Sequence, residues 1–306
     1  MIYLEKFIFP DLDHDTLIDD EARDSFYDEH TYPFHLTSNM GLWSLDLEPI
    51  TILYGGNGSG KSTIVNVISE KLCAKRLSIY NSSPYFAEYV NRCQYRIDHS
   101  LTGESLYQGH QQSQKYNISD IVTVLTSDDI FHWMQEARLE NEKKLHKSYL
   151  LKDEYNNTTT LPKYINFETG YNVEKYSRCF QIMKSSLNRF LLNNIGKMER
   201  SFSNGETALM KLSELLEAPG LYLLDEPENS MSCEFQMELA SIIQSLAKYG
   251  NCQFLISTHS PFILSMEHTK IYNLDHNPVD ICKWWELDNM KHYFNLFYNA
   301  KENFIK

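Results

Sequence analysis

The stretch Tyr54-Gly55-Gly56-Asn57-Gly58-Ser59-Gly60-Lys61-Ser62-Thr63 decides the fold class of this chain. It follows the apolar run Ile50-Thr51-Ile52-Leu53, and it precedes a segment with apolar residues at helical spacing. Four of its ten residues are glycine, and glycine accepts positive φ and lets a ligand approach the backbone closely. Such a loop, placed between a buried strand and a helix, offers its N–H groups and the helix N-terminus to an anion.

The spacing matches GxxxxGK[ST], the P-loop pattern of nucleoside triphosphate binding. In this pattern Lys61 is expected to contact the β- and γ-phosphates, Ser62 to hold Mg²⁺, and Thr63 to lie near the α-phosphate. A chance match of the four fixed positions is expected in about 1% of chains of this size. The predicted ATP-binding residues are Gly55, Gly56, Asn57, Gly58, Ser59, Gly60, Lys61, Ser62 and Thr63.

A second motif, Leu221-Tyr222-Leu223-Leu224-Asp225-Glu226, has four apolar residues followed by two acids. A buried strand that ends in Asp225 places this carboxylate at the edge of the sheet beside the P-loop. We therefore predict that Asp225 and Ser62 hold Mg²⁺, and that Glu226 orients a water molecule against the γ-phosphate.

Two further stretches accompany these motifs: Ser201-Phe202-Ser203-Asn204-Gly205-Glu206, and Ser257-Thr258-His259-Ser260-Pro261. Together, the four motifs resemble those of ATP-binding-cassette ATPases, in the branch of the SMC, RecF and OLD-type proteins. The Asp225-Glu226-Pro227-Glu228 sequence is more similar to RecF and OLD proteins than to transporter subunits. The resemblance covers about residues 1–76 and 197–275.

The resemblance implies a head-to-tail homodimer with two ATP molecules between its copies. It implies that Glu226 is the catalytic base and that His259 contacts the γ-phosphate. The trans-acting signature would be Ser203, Asn204, Gly205 and Glu206, contributed to the ATP of the other copy.

The chain also departs from the usual pattern of this family. Phe202, Asn204 and Glu206 replace three residues of the usual Leu-Ser-Gly-Gly-Gln signature. The glutamine of the Q-loop is absent from residues 126–129, which read Thr-Ser-Asp-Asp. The aromatic residue that stacks on adenine is unassigned among Phe26, Tyr27, Tyr32 and Phe34.

Charge and composition are unfavourable for a broad nucleic-acid-binding face, a calcium loop and a membrane span. The net charge is −13, and the first 50 residues hold 12 acids and 2 bases, which is unfavourable for a broad nucleic-acid-binding face. DNA binding by a small basic patch stays open. The acidic stretch at 11–15 lacks the glycine and glutamate of a calcium loop, at Thr16 and Ala22. The six cysteines are scattered along the chain and no signal peptide is evident at the N-terminus, which predicts a cytoplasmic protein. No apolar run is long enough for a membrane span.

The pattern along the chain predicts an α/β fold, with a largely parallel sheet, flanking helices and an inserted helical lobe. The predicted ATPase core comprises residues 1–129 and 197–306, and the predicted lobe comprises residues 130–196. Predicted strands lie at 2–9, 42–54, 121–125, 221–224, 252–257 and 271–272. Predicted helices lie at 60–76, 130–155, 172–196 and 232–248.

The resemblance to this family implies a nucleotide-gated ATPase that drives or regulates a protein partner, such as a nuclease or toxin in bacterial defence, or DNA-end machinery. The lobe is too short for a long coiled coil, since a hairpin of about 65 residues extends only ~45 Å. About 30 residues follow the last predicted strand, and we expect these to be too few for the Toprim nuclease domain of full OLD nucleases. Two alternatives remain open: an ATP-gated scaffold that does not hydrolyse ATP, and the energy subunit of a transporter.

Overall fold

The computed structural model describes residues 1–11, 32–97, 118–158, 172–196 and 204–304. The chain divides into two compact units. The first unit comprises Met1–Ile130 and Asn204–Lys306, and the second comprises Phe131–Ser203.

A six-stranded sheet forms the centre of the first unit, in the order β5-β6-β7-β3-β8-β9. All neighbouring pairs are parallel except β8 and β9, so the predicted largely parallel α/β fold is confirmed. The strands are β3 (Ile50–Tyr54), β5 (Val122–Thr126), β6 (Gly220–Asp225), β7 (Cys252–Ser257), β8 (Lys270–Asn273) and β9 (Asp280–Cys282). Every residue of β3 and β7 is buried, which explains why both strands are mainly apolar and do not alternate between apolar and polar residues.

A second sheet, antiparallel and three-stranded, has the order β2-β1-β4. Its strands are β1 (Leu4–Ile8), β2 (Ser44–Asp46) and β4 (Gln94–Ile97). The single strand predicted at 42–54 is therefore two strands that belong to different sheets. Pro49 lies between them and has no N–H for a ladder, while its carbonyl accepts from the Phe254 N–H of β7 at 2.9 Å.

Helices cover the large sheet and connect its strands. Helix α2 follows the P-loop and buries Ile64, Val65 and Ile68 completely, with 0% exposure. The helices of the first unit are α1 (Leu36–Asn39), α2 (Lys61–Lys71), α3 (Phe86–Arg92), α4 (Ile118–Ile121), α8 (Asn204–Leu215), α9 (Cys233–Tyr249), α10 (Pro261–Leu264), α11 (Asp288–Asn299) and α12 (Lys301–Phe304).

Helix α5 (Ser127–Asn157) begins in the first unit and continues into the second, which also contains α6 (Val173–Lys184) and α7 (Leu187–Ile195). The single helix predicted at 172–196 is thus two helices, because Ser185 is extended and the Ser186 hydroxyl accepts from the Arg189 N–H to start α7. In the second unit, Leu151, Ile182 and Phe190 form a small core. Within the described parts of the chain, no helix is both long and apolar enough to cross a membrane.

Candidate functional site

The P-loop joins β3 to α2 and has the backbone conformation that its glycines predict. Gly58 and Gly60 have φ of 84° and 87°, in the left-handed region that favours glycine. A Cβ at Gly60 would lie 3.0 Å from Leu36 Cδ2, so the Leu36 side chain would have to shift slightly to admit it. The Gly56 N–H donates to Asp275 Oδ1 at 2.7 Å, which ties the loop to the turn after β8.

The Lys61 ammonium lies inside this loop and is only 4% exposed. It donates to the Gly55 carbonyl at 2.7 Å, to the Gly56 carbonyl at 3.2 Å, and to His259 Nε2 at 2.7 Å. Because an ammonium only donates, His259 Nε2 is the acceptor in this geometry and the imidazole is neutral. Burial lowers the pKa of Lys61. Burial and then the Lys61 charge lower the pKa of His259, in agreement with the neutral ring.

Glu226 completes this cluster from the end of β6. Its Oε1 lies 3.8 Å from Lys61 Nζ and 3.4 Å from His259 Nε2. Its φ is 47°, in the left-handed region that is uncommon for residues other than glycine, and its N–H donates to the Ser257 carbonyl at 3.0 Å. The parallel sheet therefore brings together three residues that the sequence predicts for the site, from positions far apart along the chain.

Asp225 and Ser62 lie side by side, as a shared metal site requires. Asp225 pairs in register with Ser257 of β7, and its carboxylate accepts hydrogen bonds from the hydroxyls of Ser257 and Ser62. Burial raises the pKa of Asp225. Hydroxyl and carboxylate oxygens are the ligands that Mg²⁺ prefers, with phosphates and water completing the shell, so these two residues fit the ion. The described residues contain no group of three or more His, Cys, Asp or Glu that could hold a metal by itself.

The predicted trans signature is only partly described. Ser203 lies outside the described residues, as does the side chain of Asn204, while Gly205 and Glu206 form the first turn of α8. A Cβ at Gly205 would lie 2.9 Å from the Ser230 carbonyl oxygen. Close packing within the chain is therefore one reason for glycine here, and the action of this signature on a second copy stays a prediction.

The stretch in place of the Q-loop has an internal structural role. Thr126 ends β5 in register with Asp225. The buried Asp129 carboxylate accepts from the Thr126 N–H and hydroxyl, both at 2.9 Å. Asp129 thus orders the start of α5, and no glutamine from this stretch is available to the site.

Two residues near the site were not assigned a role from sequence alone. One is Tyr32, whose hydroxyl donates to Thr63 Oγ1 at 3.1 Å. Of the other candidates for stacking on adenine, Phe34 is buried, and Phe26 and Tyr27 lie outside the described residues. The other is Glu228, whose carboxylate contacts the loop that carries His259. Its only sequence signal was its place in the Asp-Glu-Pro-Glu motif.

Comparison with known proteins gives two matching family models. The model described as ABC transporter matches residues 42–229. A second model, whose description reads "AAA domain, putative AbiEii toxin, Type IV TA system", matches residues 199–265.

Individual relatives are more distant. The zinc import ATP-binding protein ZnuC of Photobacterium profundum is 31% identical over 94 residues, which are 30% of this chain and 35% of that protein. The match thus spans about a third of the relative's length. An Smc head domain from Pyrococcus furiosus, solved bound to the C-terminal domain of ScpA, is 13% identical with a TM-score of 0.45, over 97% of this chain and 100% of that chain. A nucleotide-free ATP-binding cassette from an ABC transporter is 18% identical with a TM-score of 0.35, over 76% and 80%.

The ABC transporter model covers well over half of the 306 residues, from the strand before the P-loop to the acids after β6. The chain therefore belongs to the ABC transporter family and is an ABC-type ATPase.

Proposed function

We propose that this ATPase works as a nucleotide-gated homodimer, in which two copies close on Mg²⁺ and ATP and reopen after hydrolysis. The observation that best supports the catalytic part of this proposal is the convergence of Lys61, Glu226 and His259, with 2.7 to 3.8 Å between the polar atoms of each pair. Such a cluster at the mouth of a P-loop suits one task, which is to bind and cleave a terminal phosphate.

Each residue has a separate role in this reaction. The P-loop N–H groups and Lys61 bind the phosphates, while Ser62 and Asp225 hold Mg²⁺, which neutralises phosphate charge when bound. Glu226 accepts a proton from water as the water oxygen bonds to the γ-phosphorus. The bond from that phosphorus to the bridging oxygen breaks, and the products are ADP and phosphate. His259, whose Nε2 lies 2.7 Å from Lys61 Nζ, contacts the γ-phosphate beside Lys61.

The second copy contributes Ser203 and the Gly205 N–H to the same γ-phosphate. A helix that begins with a hydroxyl and a glycine offers unpaired N–H donors to an anion. Gly205 lies in the first turn of α8, a helix of 12 residues, which supports this part of the proposal.

We infer that dimer opening and closing acts on a protein partner, a nuclease or toxin in bacterial defence or in DNA processing. The match of residues 199–265 to a toxin–antitoxin AAA domain supports this inference. The family assignment disfavours the scaffold that does not hydrolyse ATP. A second candidate is the energy subunit of a transporter, which the match to a zinc import ATP-binding protein favours. A requirement for a membrane protein in order to reach full turnover would select this second candidate.

Phosphate release by the wild type and by Glu226→Gln, at saturating Mg²⁺ and ATP, tests the catalytic part. We expect the variant to keep ATP affinity and to lose at least about 100-fold in turnover, the range for loss of a general base. Glu234→Gln, an exposed acid in the first turn of α9, is the matched control and should behave as wild type. Equal turnover by the wild type and Glu226→Gln would contradict the proposal.

Sedimentation with ATP, in the slowly hydrolysing Glu226→Gln background, tests the dimer. Adding Ser203→Arg should leave ATP binding intact and abolish ATP-dependent dimerisation, because the large cation occupies the trans phosphate site. Ser241→Arg, on the exposed face of α9, introduces the same side chain elsewhere and should still dimerise. Dimerisation of the Ser203→Arg protein would show that ATP is not held between two copies in this way.

A further inference from the structure

The carboxylate of Glu228 lies buried in the turn after β6, with the residue only 8% exposed. Its Oε1 accepts three hydrogen bonds, from Thr258 Oγ1 at 2.5 Å, from the His259 N–H at 2.9 Å and from the Ser260 N–H at 3.1 Å. One oxygen atom thus binds three consecutive residues, 30 to 32 positions away in the sequence.

These three residues form the loop that joins β7 to α10, and His259 is in its middle. The loop is also held at its far end, where Ser260 Oγ donates to Gln236 Oε1 at 2.7 Å and accepts from the N–H groups of Phe262 and Ile263. Glu228 therefore determines where the backbone on both sides of His259 lies. The backbone in turn determines where the imidazole meets Lys61.

Stability alone does not explain a carboxylate at this position. Glu228 Oε2 is buried and has no hydrogen-bond partner in the described parts of the chain. Burying a carboxylate with one unpaired oxygen opposes folding. What this unfavourable burial achieves is the set of three hydrogen bonds to the loop beside the site, in the way that supporting residues orient catalytic groups.

We propose that Glu228 is a positioning residue for ATP hydrolysis, which acts by holding the 258–260 loop so that His259 faces Lys61 and the γ-phosphate. This inference rests on the role of His259 proposed above. Glu228 itself touches neither Lys61 nor Glu226 in the polar contacts of the described residues, so its effect passes through the loop.

The test is a double-mutant cycle measured by steady-state ATP hydrolysis, with Glu228→Ala, His259→Ala and the combination. Misplacement of a catalytic group by about 1 Å costs up to about 100-fold in rate. We therefore expect Glu228→Ala to lower kcat about 10- to 100-fold, with the KM for ATP changed by less than about threefold. The double variant should be no slower than His259→Ala alone, because the two residues act as one unit.

Glu228→Gln is the conservative variant, since its amide oxygen can accept the same three hydrogen bonds, and it should restore most of the rate. Where Glu228→Ala does not fold, Thr258→Val carries the same test by removing one of the three donors. It should lower kcat without raising KM, and again have no effect when His259 is absent.

Gln253→Leu is the matched control, at the opposite end of β7. Its buried amide likewise binds backbone groups from distant segments, accepting from the N–H of Tyr3 and Leu4 and donating to the carbonyls of Leu4 and Glu48. This variant should lower the melting temperature and leave kcat unchanged.

The outcomes separate this inference from the proposed function. If Glu228→Ala behaves like Gln253→Leu, with a lower melting temperature and normal kcat, Glu228 is structural only and the inference is wrong. A double variant that multiplies the two single losses would also overturn it, because the residues would then act independently. Wild-type turnover by His259→Ala would instead overturn the role proposed for His259.

Discussion

Replacing Lys61 with alanine tests the phosphate-binding site most directly. The Lys61 ammonium is held at the centre of the loop by the Gly55 and Gly56 carbonyls, 2.7 and 3.2 Å away. Because it is only 4% exposed, water screens its charge poorly. The alanine variant removes this charge from the place where the terminal phosphates bind, and it leaves the glycine loop intact.

The size of the effect follows from the number of contacts that are lost. A hydrogen bond to a charged group contributes about 1.5–3 kcal/mol, and each 1.4 kcal/mol is about tenfold in Kd. Loss of one such bond to the γ-phosphate should weaken ATP binding about 10- to 150-fold. The effect on ADP should be smaller, because ADP lacks the γ-phosphate that Lys61 contacts in addition to the β-phosphate.

Isothermal titration of the purified chain with ATP and Mg²⁺ measures this change. Lys71→Ala is the matched control, since Lys71 ends the same helix, about 15 Å further along its axis, where its ammonium donates to the Asn91 carbonyl. Its Kd should stay within about twofold of wild type. An ATP affinity of Lys61→Ala that equals that of Lys71→Ala would refute the reasoning.

A second measurement on the same variant reports on the neighbouring imidazole. The Lys61 charge is one of the causes that lower the pKa of His259. Its removal should raise the pKa of His259, which a titration of the imidazole NMR signals can follow. An unchanged or lower pKa would contradict the 2.7 Å contact between Lys61 Nζ and His259 Nε2.

Three further predictions concern stability. Asp225→Asn should abolish turnover yet raise the melting temperature of the nucleotide-free protein, because burial raises the pKa of this carboxyl and its ionised form opposes folding; a lower melting temperature would contradict this. Gly60→Ala should lower the melting temperature measured by calorimetry, because alanine is strained at positive φ and its Cβ would crowd Leu36. Gly56→Ala should change the melting temperature little, because a Cβ there would meet no atom closer than 3.5 Å. Acidification from about pH 7.5 to 5.5 should lower the melting temperature of the wild type more than that of His259→Gln. The pKa of His259 is lowered in the folded protein, so the unfolded chain binds the proton at a higher pH and is favoured as the pH falls. Equal decreases in the two melting temperatures would rule this out.

Features that depend on neighbours along the chain could be predicted from the sequence. The P-loop is one example, because four glycines, a lysine and a hydroxyl at fixed spacing determine both the backbone and the chemistry. The buried strands β6 and β7 are another, since apolar runs of six residues or fewer between polar segments are typical of a parallel sheet. The α/β fold followed from their alternation with helices.

Features that depend on distant residues required the tertiary structure. The assignment of β2 and β3 to different sheets is decided by their pairing partners, as in the contact of Lys6 with Asp46, and not by their own apolar pattern. The break between α6 and α7 at Ser186 was equally hidden in a continuous helical periodicity.

The site divides in the same way. The residue types of Lys61, Asp225, Glu226 and His259 were evident from their motifs, because phosphate and metal chemistry restricts which side chains can serve. The sequence did not show the distances between these side chains, or the hydrogen bonds of Glu228 to the loop around His259. No local pattern encodes a contact between residues 30 positions apart. Only the pairing of parallel strands, with their carboxyl ends at one edge of the sheet, brings these groups together.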